Sequence, residues 1–138
     1  MNREILFRGR RLDNGEWVYG SFVKIPLVSG RIAYCICPIE KVGRENKNVP
    51  HMGILYTLNE DIFVVDPATV GEYTGLIDKD GNKIFEGDII QFYKTSAYVI
   101  FRDGEFCAID CDNTRYCIVQ SVVRLTGNIH DNEELLDK

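Results

Sequence analysis

Apolar residues recur along this chain in short runs with a period near two, and Gly, Asn, Asp or Pro breaks each run before it reaches helical length. That pattern predicts strands. In "EILFRGRRLDNGEWVYGSFVKI", Ile5 and Phe7 alternate with polar neighbours, and Asp13, Asn14 and Gly15 tolerate a positive φ. Trp17 to Ile25 then resumes the run, which predicts a β-hairpin. A second strand pair follows around "RIAYCICPI", with Cys35 and Cys37 on one strand face and Pro38 closing it. Residues 40–53 carry few large apolar side chains and read as an exposed loop. "DIFVVDP" is a strand ending at Pro67, and Asp66 before Pro67 has the cap-then-proline order of a short helical turn over 66–70.

In "AYVIFRDGEFCAI", two runs are joined by Asp103-Gly104, the strongest short hairpin signal in the chain. "YCIVQSVVRLTGNI" supplies one or two further strands. The tail predicts one or two helical turns over 131–136, with Asp131 as cap and Glu134 three residues on. Seven to nine short strands with almost no helix define an all-β protein, built as a small barrel or sandwich.

At 138 residues with 45% hydrophobic and 27% charged side chains, the chain has the apolar supply of an ordinary globular protein. No apolar run approaches membrane-spanning length and the start lacks a signal-like apolar stretch, so the expectation is a cytoplasmic protein away from a membrane. Five cysteines in irregular spacing do not form a disulfide framework. Residues 1–31 carry six Arg/Lys against three Asp/Glu, whereas the remainder carries ten against eighteen. The acidic majority opposes broad phosphate contact. A local patch of Arg3, Arg8, Arg10 and Arg11, beside Phe7, Trp17, Tyr19 and Phe22, still offers a stacking platform for single-stranded nucleic acid or a contact surface for a protein. The plainer account of the aromatic stripe is core packing.

The stretch "TGLIDKDGNKIFEGDII" invites three chemical readings. Asp78, Asp80 and Asn82 alternate as the first ligands of a calcium loop do, but a glycine at loop position six and a glutamate at twelve are missing, since Lys83 and Ile89 stand there. A phosphate cradle would run into a helix, and this stretch runs into the strand-like "IIQFY". The remaining reading is two turns, one at Asp80-Gly81 and one at Glu86-Gly87-Asp88, with the acids serving local backbone N–H groups. Zinc would want closely spaced Cys and His, and His51 and His130 stand far apart; several cysteines are expected as small core residues. Neither histidine sits in a nucleophile motif, and nothing singles out a carboxylate pair. The expectation is therefore no metal, no cofactor and no catalysis, with an enzyme of unknown class as the minority alternative.

Five segments in order, "REILFRGRR", "DNGEWVYG", "VDPATVGEYTGLIDKDGNKIFEGDII", "VIFRDGEF" and "TGNIHDNEELL", resemble the YopX-like family of phage and prophage proteins. Residues 30–62 depart most from it, so the resemblance lends no role to Cys35, Cys37 or His51. It implies a mainly β protein with an SH3-like barrel portion, encoded by a phage or prophage and acting in a bacterial host, and no established activity. The expected organisation is an N-terminal β lobe at 1–65 and an SH3-like barrel lobe at 66–138. Exposed strand edges then favour a homo-oligomer or a host or phage protein as partner, with nucleic acid second.

Overall fold

The computed structural model describes residues 3–38 and 62–136. The loop expected at 40–53, with His51, lies outside the described residues. The chain divides into two compact units: Leu6–Val70, and Met1–Ile5 with Gly71–Lys138. The expected boundary at 65/66 falls a few residues short of that division. Residues 65–69 are tied to the first unit, because Val65 N donates to Tyr34 O, Asp66 N to Arg10 O, and Arg10 N to the Thr69 hydroxyl.

In the first unit, β1 (Phe7–Arg10), β2 (Trp17–Pro26), β3 (Ile32–Pro38) and β4 (Phe63–Val64) pair antiparallel in the order β4-β3-β2-β1. Cys35, Ile36 and Val65 are buried in it. Gly20, opposite Pro38, allows the strands to approach: a Cβ there would overlap the carbonyl of Cys37. The helical turn expected at 66–70 is present as a 3-10 turn at Pro67–Thr69, with the Asp66 carboxylate accepting from Ala68 N at 3.0 Å.

The second unit contains a hairpin of β5 (Gly71–Ile77) and β6 (Lys83–Phe85). It also contains a sheet of β7 (Asp88–Phe92), β8 (Thr95–Arg102), β9 (Glu105–Ile109), β10 (Arg115–Tyr116) and β11 (Arg124–Asn128), in the order β10-β9-β8-β7-β11. The antiparallel register aligns Ile90 with Ala97, Val99 with Ala108, and Ala108 with Tyr116, so these side chains share one face. On that face Ile90, Ala97, Val99 and Ala108 form the core together with Ile84 of β6 and Val123. Ile89, Cys107 and Ile109 on the opposite face are buried too.

All-β architecture is thus observed, with eleven strands among the described residues where seven to nine were expected. The SH3-like barrel does not close among those residues: β10 and β11 remain the two edges of an open sheet. Two local causes are visible. β10 is only two residues long, and on β11 the N–H of Leu125 is taken by the Asp78 carboxylate at 2.9 Å beside a bulge between Leu125 and Gly127.

Turn chemistry explains where the strands stop. The loops 27–31, 78–82 and 110–114 share one geometry. The first residue donates its N–H to the fifth residue's carbonyl, the fourth donates back to the first, and the fourth has a positive φ: Gly30 at 88°, Gly81 at 88° and Asn113 at 63°. This is the type I turn closed by a left-handed bulge residue. Asp103 (φ 54°) and Gly104 (φ 83°) form a two-residue turn with both φ positive, as the hairpin signal predicts. Gly15 (φ 74°) closes the Asp13-Asn14 turn, where Asn14 Oδ1 accepts from Glu16 N at 2.9 Å, and Gly87 (φ 91°) joins β6 to β7. At the far end, a 3-10 turn at Glu133–Leu136 matches the expected tail element. The expected cap is corrected. Asn132, not Asp131, directly precedes this turn, because Asn128 Oδ1 accepts from the N–H groups of both His130 and Asp131 and so sets the chain's direction.

Candidate binding cleft

The N-terminal arginines and aromatics are partly brought together. The register of β1 against β2 sets Arg8 opposite Tyr19 and Arg10 opposite Trp17, so all four share a face. The Arg8 and Arg10 guanidinium carbons lie 4.9 and 5.1 Å from the Trp17 ring centre. Arg8 is only 5% exposed, whereas Tyr19 reaches solvent. Arg11 is turned to its own loop: its Nε and Nη2 donate to the two Asp13 oxygens at 2.9 and 2.6 Å, and it stacks 4.1 Å from the Phe63 ring centre. That hydrogen bond raises Arg11 and lowers Asp13 from their usual pKa values. Arg3 is exposed and belongs to the other unit.

The acidic stretch that invited a metal is occupied by N–H donors. Asp78, 3% exposed, accepts from Asp80 N and Asn82 N on Oδ1, and from Asn82 Nδ2 and Leu125 N on Oδ2. Burial alone would raise its pKa, but the hydrogen bonds from Leu125, Asn82 and Asp80 outweigh it and hold the carboxyl below the usual range. Asp80 Oδ2 accepts from Arg124 Nε at 3.1 Å. Among the described residues, no group of three or more His, Cys, Asp or Glu is arranged to hold a metal. Burial raises the Cys35 thiol, so it behaves as a small core residue.

A concave feature of the second unit lies elsewhere. A cleft of about 250 Å³ is lined by Phe92, Tyr93, Tyr116, Cys117, Val119, Val122 and Val123. The register of the sheet explains how it forms. Phe92 and Tyr116 are separated by two intervening strands, yet their rings meet edge-on at 5.0 Å, so the sheet curls until its first and fourth strands touch through side chains. The Tyr116 hydroxyl is fixed by donation to Asp110 Oδ2 at 2.8 Å, an interaction that raises its pKa. Asp110 is itself held low by the N–H of Thr114 first and by Tyr116 second. Across the loop 119–123, Val122 N and Val123 N both donate to Val119 O, which holds the valine wall.

Tyr93 stands at the tip of the β7–β8 hairpin, between the paired residues Phe92 and Thr95. It is 86% exposed, and its φ is 55°, while its turn partner Lys94 is not among the positive-φ residues. A two-residue hairpin with a positive φ only at its first position is a glycine position. A bulky residue held there stores backbone strain while keeping its ring in solvent at the cleft mouth.

The fold and the matched segments decide the family. The model of the family described as YopX protein matches residues 6–137. The chain belongs to the YopX protein family. A crystal structure of protein EF1440 from Enterococcus faecalis is similar to this YopX family member over 98% of this chain and 99% of its own. The TM-score is 0.62 and the identity 20%, so the likeness is one of fold. No curated protein matches the chain. Among the described residues, no helix is long and apolar enough to cross a membrane.

Sequence reasoning did not find the cleft, because its walls come from two stretches far apart in the chain, 92–93 and 116–123. One signal was available: "FYK" places two aromatics and a lysine where a glycine, asparagine or aspartate is expected between strand runs.

Proposed function

We propose that this YopX family member is a non-catalytic binding module, of phage or prophage origin, that acts in the bacterial cytoplasm by pairing with another protein or with copies of itself. The observation that carries this reading is the aromatic and valine-lined cleft with a solvent-facing tyrosine at its mouth. Such an apolar concavity suits a contact surface. The polar side chains that would serve chemistry in the same unit, Asp78 and Asp110, are directed at backbone N–H groups and at Tyr116. Size-exclusion with light scattering and reciprocal cross-linked capture from host cells test the reading. An oligomer, or a partner recovered from both directions, supports it; a monomer that captures nothing reproducibly sinks it.

A nucleic-acid role rests on the Arg10–Trp17 stack and the basic bias of residues 1–31. It predicts retardation of single-stranded DNA or RNA that falls steeply with salt and is lost in the Arg8→Ala, Arg10→Ala double variant. Arg8 is buried and Arg11 is engaged by Asp13, which makes this the weaker surface.

A further inference from the structure

We propose that the cleft receives one apolar side chain from a basic, extended segment of a partner protein, an inference that rests on the binding-module reading above. Three features of the second unit lead to it. First, the cleft has the size of a single large side chain and its walls are aromatic and aliphatic, so it selects an apolar anchor. Second, Tyr116 and Cys117 of that wall belong to or directly follow β10, which among the described residues has a strand neighbour on only one side. An extended segment laid along that edge places alternate side chains on the cleft side, which is how strand addition combines backbone pairing with a specificity pocket. Third, charge selects the flanks of that segment. The unit that holds the cleft carries eight Lys/Arg against fourteen Asp/Glu, net −6, while the other unit carries eight against seven.

The nearer charges agree in sign with that total. Asp110 and Asp112 flank β10 in its entry loop. Arg115 of β10 is already held by Asp103 and Glu105, and Arg124 by Asp80. Lys94, beside Tyr93 at the hairpin tip, is the opposing charge and is outnumbered. A second copy bringing the same acidic face would be repelled, so the field favours a basic partner over self-pairing through this surface. Tyr93 fits the scheme as the exposed outer wall of the cleft: its strained backbone keeps the ring exposed in the free protein, where a ligand side chain can cover it.

The test uses a capped heptapeptide with a central tryptophan, a valine on either side and two lysines at each end. It is titrated into the full chain at low salt and followed by amide chemical shifts. The expected result is saturable shifts confined to residues 92–94 and 115–123. Replacing the peptide's tryptophan by alanine, or its four lysines by glutamates, should weaken binding by about tenfold or more. On the protein, Val119→Lys places a cation at the exposed wall, and Tyr93→Gly removes the ring; each should lower affinity to a similar degree with the melting temperature unchanged or raised. Bound peptide should also slow alkylation of Cys117 while leaving that of the exposed Cys111 unchanged. Absent or scattered shifts at millimolar peptide, equal binding of the glutamate version, or full binding by Val119→Lys overturns the proposal. Failure here, with capture of a partner undiminished by Val119→Lys, rejects this cleft and leaves the binding-module reading standing; loss of all capture by the unmodified protein rejects both.

Discussion

At the scale of single residues, burial and backbone geometry give individual side chains testable weight. Asp78 satisfies four N–H donors from a buried position, so Asp78→Ala strands them and should cost about 2–3 kcal/mol, read as a shift in the denaturant midpoint. Its sign with pH follows from its lowered pKa: the stability it contributes is present above the unfolded value, and is lost as the pH falls through the folded one. Melting temperature should therefore drop on acidification below about pH 4, and the drop should shrink in Asp78→Ala. Glu86 works in the opposite sense. Burial first, and the nearby Glu72 charge after it, raise its carboxyl, so its ionised form weighs against the fold as the pH rises. At the hairpin tip, Tyr93→Gly should stabilise by up to about 1 kcal/mol, because glycine accepts a positive φ that tyrosine resists. A melting temperature that falls instead would show that the ring contributes more than the strain costs. The cysteines divide by exposure: iodoacetamide under native conditions should label Cys111 and Cys117 and spare Cys35 and Cys107, as read by mass spectrometry.

At the scale of elements, the hairpins were the most legible part of the sequence, because their turns are decided locally. Asp13-Asn14-Gly15, Asp80-Gly81 and Asp103-Gly104 each stand where a residue must take a positive φ, and each ends a strand as expected. The same rule makes Gly81→Val costly by about 2 kcal/mol through the backbone alone, since no neighbour lies near its missing Cβ. Calcium should leave the melting temperature of the protein unchanged, because the Asp78 oxygens already face N–H donors; a sharp rise with calcium would overturn that account. The hairpin at Tyr93-Lys94 was illegible for a matching reason. Its residues break the turn rule, so the strand appears to run through Tyr93 when it stops at Phe92. Asn113 is an intermediate case, a non-glycine residue that still tolerates the left-handed region.

At the scale of the whole molecule, the alternation of apolar residues and the placing of Gly, Asn and Asp fixed the all-β class, most turns, both short helical turns and the family resemblance. These are properties of neighbours in the chain, and a local pattern suffices for them. The candidate site was another matter. Which carboxylates serve the backbone, how far Arg8 is buried against Trp17, and that Phe92 meets Tyr116 across two strands all depend on register and on sheet curl. The edges left open among the described residues depend on them too: β10 is two residues long and the Asp78 side chain is seated on β11, and no local pattern encodes a contact between residues 47 positions apart. Sequence by itself therefore determined the strands and where they turn. Tertiary structure alone decided which side chains share the cleft, because long-range pairing sets that geometry.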